Sequence, residues 1–71
     1  MPPLRDAIEI LIANLVTIEL SREEPGTNAV VVNGFIIRDG LTHGEAMKLA
    51  ESARATIRSG IQTAVYLLRQ R

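Results

Sequence analysis

The sequence predicts an α+β fold in the order helix, strand, strand, helix (α-β-β-α), assembled as a homo-oligomer. Two short β-branched runs flank Asn33-Gly34 within residues 29–38, the pattern of a β-hairpin. Apolar residues recur at helical spacing before and after this segment. The chain has only 71 residues and no cysteine, so a disulfide is excluded and association of several copies is the expected source of a sufficient core. We expect one domain over residues 1–71.

The first helix is predicted from about residue 4 to about residue 21. Pro3 precedes it, and proline suits a first turn because its missing N–H has no partner there. One face follows the i, i+3, i+4 rule through Leu4, Ala7, Ile8, Leu11, Leu15 and Ile18. The other side also carries apolar residues, namely Ile10, Val16 and Leu20. A helix that is apolar nearly all round is buried on more than one side, so we expect another subunit to cover the second side.

Residues 22–28 are predicted to form a loop, because Pro25-Gly26 is a turn pair between polar residues. Residues 29–38 then form the hairpin, with Asn33-Gly34 in a type I′ turn. Both strands are apolar at successive positions rather than alternating, and two strands leave two open edges. The hairpin therefore needs cover on both faces. We expect an oligomer interface that contains Val30, Val32, Phe35, Ile37, Ile10, Val16 and Leu20. The alternative is a hairpin enclosed by the chain's own two helices.

A second helix is predicted from about residue 43 to about residue 69. Thr42-His43-Gly44-Glu45 matches the S/T-x-x-E capping box that marks a helix start. Beyond it, a heptad-like seam with alternating spacings of four and three consists mainly of small residues: Ala46, Ala50, Ala53, Ile57, Gly60, Ala64 and Leu67. Small side chains permit close approach of the first helix and of a symmetry mate. The second-ranked fold is a dimer of helical hairpins in which residues 29–38 form a loose loop.

The charge balance restricts the classes of function. Eight basic and eight acidic side chains give zero net charge, which argues against a dedicated nucleic-acid binder. Residues 1–40 carry 6 acidic and 3 basic side chains, whereas residues 41–71 carry 2 acidic and 5 basic ones, so one basic face remains possible. No apolar run approaches the roughly 20 residues of a membrane span. The absence of cysteine and of a signal-peptide pattern favours a cytoplasmic protein.

Catalytic residues are not predicted. His43, Asp39 and either Ser52 or Ser59 have the residue types of a triad, but no nucleophile motif accompanies them. His43 is interpreted as a surface residue in the first turn of the second helix. With one histidine and no cysteine, the sequence predicts neither a metal site nor a cofactor.

The candidate binding site is the outer face of the second helix. Four polar or basic residues fall within about 80° of one another at 100° per residue, and a tyrosine lies beside them: Arg54, Arg58, Gln62, Arg69 and Tyr66. The arginine guanidinium has a planar donor fork that suits phosphate or carboxylate. A basic face near a helix C-terminus is also favourable on dipole grounds alone, so simple solvation is the competing interpretation.

Three functions are therefore considered. The first is a non-enzymatic, small oligomeric accessory or regulatory protein that acts by binding another protein. The second is a binder of an anionic ligand, either a nucleotide-like small molecule or nucleic acid, through the basic face of the second helix. The third, a small enzyme with a site shared between subunits, is least favoured because no acid–base pair can be assigned.

Overall fold

The computed structural model describes residues 3–70 and shows, within them, two helices and one three-stranded antiparallel sheet. The elements follow the chain as α1 (Leu4–Leu15), β1 (Val16–Leu20), β2 (Asn28–Val32), β3 (Phe35–Leu41) and α2 (His43–Arg69). The strands lie in the order β1-β2-β3, so β2 is central and the other two are edges. The predicted α+β class is confirmed, and the topology is helix, three strands, helix.

The prediction of a first helix extending to about residue 21 is wrong beyond Leu15. The segment Val16–Leu20 is instead strand β1, which pairs with β2 from Val16 opposite Val32 to Leu20 opposite Asn28. Three of its five residues are β-branched: Val16, Thr17 and Ile18. Such side chains lose χ1 freedom in a helix and pack well in a strand. The helix ends where the backbone N–H of Asn33 donates to the carbonyl of Leu15 at 2.8 Å. Pairing with β2 therefore overrides the local helical pattern.

The hairpin turn is found where the sequence predicts it. Asn33 and Gly34 both have positive φ, at 50° and 82°, as a type I′ turn requires. The hairpin is longer than predicted, because β2 begins at Asn28 and β3 continues to Leu41. Val30 lies opposite Arg38 and Val31 opposite Ile36, so β3 contains one additional residue at this point, the mark of a β-bulge. A second register shift, between the pairs Asn28–Leu41 and Val30–Arg38, adds another residue to β3. The two-stranded prediction is incomplete because β1 adds a third strand.

The N-terminal half of α2 covers one face of the sheet. The core cluster consists of side chains with no exposure, two from the strands and two from the helix: Val16, Val30, Ala46 and Ala50. The alanines let the helix backbone approach the sheet closely. The capping box that starts α2 is confirmed, since the N–H of Glu45 donates to Oγ1 of Thr42 at 3.1 Å and the N–H of Thr42 donates to Oε1 of Glu45 at 2.9 Å.

The C-terminal half of α2 extends past the sheet and lies beside α1. The two helices are antiparallel, because Arg58 reaches Glu9 whereas Arg54, one turn earlier on α2, reaches the end of α1 at Val16. We call α1 together with residues 57–69 of α2 the helical arm. The molecule measures 49 × 23 × 19 Å. Its radius of gyration is 14.5 Å, against about 11 Å for a compact chain of this length, so the chain is markedly elongated.

Candidate interaction surfaces

Arg54 belongs to the predicted basic face, but its guanidinium is directed into the protein. Its Nη2 donates to the carbonyl oxygen of Val16 at 3.1 Å. Because β1 is an edge strand, no further strand in the described part of the chain donates to this carbonyl. Because Val16 has no exposed surface, water does not reach it either, and Arg54 supplies the hydrogen bond instead. The Nε of Arg54 is also buried and has no hydrogen-bond partner among residues 3–70. Arg54 therefore stabilises the junction between α1 and β1.

Arg58, the next arginine of that face, is paired with α1. Its Nε and Nη2 each donate to a carboxylate oxygen of Glu9 at 2.8 Å, which is the bidentate geometry that suits a guanidinium. The hydrogen bond from Arg58 lowers the pKa of Glu9, and the same hydrogen bond raises the pKa of Arg58. The pair joins the two helices of the arm. The Glu9 carboxylate occupies the guanidinium donors of Arg58 that an anionic ligand would need.

The other three predicted binding residues lie together. Gln62, Tyr66 and Arg69 line a shallow, mainly apolar groove of about 230 Å³ with Ile8 and Val65. This groove runs between α1 and the last turns of α2. The structure thus brings three of the five predicted residues into one place, and it turns Arg54 and Arg58 towards other partners.

The seven residues predicted for an oligomer interface separate into two groups. Val16 and Val30 have no exposed surface and belong to the chain's own core. The reason is that β1 and α2 together cover the central strand from within one chain. Val32 is partly buried against the same core. The remaining four are exposed on the protomer and stay candidates: Ile10, Leu20, Phe35 and Ile37.

The α2 seam, which the sequence predicts to meet the first helix and a symmetry mate, continues into an exposed apolar face of the helical arm. The first four residues of the α2 seam, from Ala46 to Ile57, are buried or partly buried, whereas the last three are exposed. Beside them lie further exposed apolar residues of both helices. We call this set the arm face: Leu4, Leu11, Gly60, Ala64, Leu67 and Leu68. The seam was visible in the sequence, but only the structure shows that the sheet ends before the seam does.

The sheet face that points away from the helices contains a second depression that the sequence did not predict. It has a volume of about 320 Å³, an apolar floor that includes Val31 and Ile36, and a rim of charged side chains: Glu19, Arg22, Glu23 and Asp39. Val31 is buried although it faces away from the helices, because the loop between β1 and β2 contributes to this lining. The sequence alone does not indicate that this loop lies against the sheet, which explains the omission.

Comparison with protein-family models, curated proteins and solved structures finds no match to this chain. Within residues 3–70, no group of three or more histidine, aspartate or glutamate side chains is placed to hold a metal ion. No helix in that same range is both long enough and apolar enough to cross a membrane.

Proposed function

We propose that this chain is a small, non-enzymatic, homo-oligomeric interaction protein that acts by binding another protein, in an accessory or regulatory role. The observation that carries the proposal is surplus surface. The chain exposes 5565 Å², whereas a compact monomer of 7.8 kDa exposes about 4,400 Å². The surplus of about 1,200 Å² exceeds the roughly 800 Å² that each partner contributes to a standard protein–protein interface.

Most of the exposed large apolar side chains lie in two separate regions, which supports two kinds of contact. One region is the arm face. The other is the edge strand β3, where three consecutive large apolar residues are exposed: Phe35, Ile36 and Ile37. An edge strand also offers its backbone to an extended segment of another chain. Two such regions fit a protein that associates with itself through one surface and with another protein through the other.

The first experiment measures the mass of the purified protein by light scattering after size-exclusion chromatography, across a wide dilution series. We expect a mass that is a multiple of the 7.8 kDa of one chain and that falls only at high dilution. A mass of one chain at every concentration contradicts self-association and removes the basis of the proposal.

The second experiment tests binding to another protein. Tagged wild-type chain and a tagged Phe35→Glu variant are used in parallel pull-downs read by mass spectrometry, after the variant has been shown to keep the wild-type circular dichroism spectrum. We expect a protein that the wild type recovers and the variant does not, because a charge in an exposed apolar contact must be desolvated on binding. Identical recovery by both argues against β3 as the binding surface.

The anionic-ligand alternative receives less support from the geometry. Two of its three arginines already donate to partners within the chain, at Val16 and at Glu9. Arg69 lies in the last turn of α2, where a basic residue is also favourable to the helix dipole. Salt-dependent binding of a nucleotide or nucleic acid that is lost in Arg69→Ala would revive the alternative.

A further inference from the structure

We propose that the arm face is the surface on which a second copy of this chain binds, so that two helical arms related by a twofold axis form a four-helix arrangement. This inference rests on the proposed self-association and adds which surface mediates it and which elements meet.

The arm face is continuous with the chain's own core. Ala64 follows Ala46 by about five helical turns and therefore lies on the same side of α2. On α1, Leu15 packs against the core cluster, and Leu11 and Leu4 continue that stripe towards the N-terminus at helical spacing. The side of the helix pair that the sheet covers at one end is thus left uncovered at the other end.

The chemistry of the arm face favours a second copy over a charged partner. Among residues 3–70, none of the side chains that form the face is ionisable. The charged residues of the arm lie elsewhere, and two of them, Glu9 and Arg58, are paired with each other. A twofold interface places the same patch of both subunits in contact. An uncharged apolar patch is complementary to itself, whereas a patch of one charge sign is not.

The size and shape of the protomer support the same occupant. A two-helix layer is stable when its apolar face is buried against another layer, and two antiparallel pairs form a four-helix bundle. The surplus surface of about 1,200 Å² is large enough for one standard interface of roughly 800 Å² per partner. Gly60 has no side chain and Ala64 has only a methyl group. Among residues 3–70, nothing beyond the adjacent turns of the helix lies within 4 Å of the position that a Cβ added at Gly60 would take. Helices of a second copy therefore have room to approach.

Two matched pairs of substitutions separate the arm face from the rest of the arm. Leu11 is 50% exposed and its neighbour Ile10 is 58% exposed, but at 100° per residue Ile10 points about 100° away from Leu11. Leu68 is 68% exposed and Tyr66 is 63% exposed, and Tyr66 lies about 160° from Leu68. Each of these four residues is replaced by glutamate in turn, so that chemistry and exposure are matched and only the side of the helix differs.

We expect Leu11→Glu and Leu68→Glu to weaken self-association by roughly tenfold or more, because each buries a charge at the contact. We expect Ile10→Glu and Tyr66→Glu to associate like the wild type, because neither side chain lies on the arm face. The inference therefore removes Ile10 from the interface that the sequence predicted. The readout is mass by light scattering, with circular dichroism as the control for folding. Loss of association in all four variants, or in none, overturns the inference.

The variant Phe35→Glu separates failure of this inference from failure of the proposed function. An oligomer that dissociates in Phe35→Glu but persists in Leu68→Glu shows self-association through β3, which overturns the inference and leaves the proposed function standing. A wild-type monomer overturns both.

A cross-linking experiment gives a result even if the glutamate variants do not fold. The natural chain has no cysteine, so Ala64→Cys and Ser59→Cys each introduce one thiol. Position 64 lies on the arm face, whereas Ser59 is exposed on a side of α2 that is about 140° from Ala64 and at least about 80° from every α2 residue of the arm face. We expect a bismaleimide reagent to form the covalent dimer much faster in Ala64→Cys. Equal rates at the two positions contradict the inference.

Discussion

Replacing Arg54 by methionine tests whether this arginine stabilises the fold or is available to bind a ligand. Methionine keeps an unbranched apolar side chain that can follow the same path as the aliphatic part of arginine, and it removes the guanidinium. The change deletes the hydrogen bond of 3.1 Å from Nη2 to the carbonyl oxygen of Val16. Because Val16 has no exposed surface, its carbonyl then has no donor from protein or bulk water. The structure therefore predicts a loss of stability at a residue whose sequence position had suggested binding.

The size of the loss follows from two opposing contributions. Leaving a buried acceptor without a donor costs about 1–3 kcal/mol. Against this, the buried Nε of Arg54 has no hydrogen-bond partner among residues 3–70, and its removal recovers roughly 1 kcal/mol of desolvation cost. The net expectation is a destabilisation of about 1 kcal/mol, within a range of about 0–2 kcal/mol. A loss of about 1 kcal/mol lowers the melting temperature of a chain of this size by about 4–8 °C.

Thermal and urea denaturation followed by far-ultraviolet circular dichroism measure this change, at one fixed protein concentration because association shifts apparent stability. The matched control is Arg69→Met. Arg69 is exposed in the last turn of α2, so its removal loses only a dipole interaction of a few tenths of a kcal/mol. If Arg54→Met melts no lower than Arg69→Met, then the contact with Val16 contributes nothing measurable and the assignment of Arg54 to the fold is refuted.

Three further predictions concern local features. Thr42→Ala is expected to destabilise the chain by about 1 kcal/mol in urea denaturation, because Oγ1 of Thr42 accepts a helix N–H at 3.1 Å; an unchanged midpoint argues against the cap. Gly34→Ala is expected to lower the free energy of unfolding by about 1–2 kcal/mol, because φ at Gly34 is +82°. Gly44→Ala lies at the start of α2, where a Cβ has open space, and should raise the free energy of unfolding by about 0.5–1 kcal/mol. Changes of the same sign in the two variants contradict this prediction. The pKa of Glu9 is lowered from 4.5 by its hydrogen bond with Arg58, so its contribution to stability is present above that value and lost as pH falls through the folded pKa. Glu9→Gln should therefore destabilise near neutral pH but not in strong acid, and the difference should vanish in an Arg58→Met background.

The features that sequence predicted correctly are those determined within a few residues. The turn at Asn33-Gly34 depends on two residues that tolerate positive φ. The start of α2 depends on two reciprocal hydrogen bonds between Thr42 and Glu45. The predicted basic face of α2 depends instead on contacts between residues that are distant in the sequence: Arg58 is held by Glu9, which is 49 positions away. No local pattern reports a contact across that separation.

By itself, then, the sequence determined the hairpin turn, the capped second helix and the α+β class, because short-range backbone preferences are enough to specify each of them. Only the tertiary structure decided that residues 16–20 form a strand and not the end of the first helix. The sequence VTIEL fits both helical and extended spacing, and the hydrogen bonds that β2 supplies favour the strand. The tertiary structure also decided which apolar residues are enclosed and which are left at the surface. Burial depends on where the sheet ends beneath α2, and that limit arises from the packing of elements that are distant in the chain.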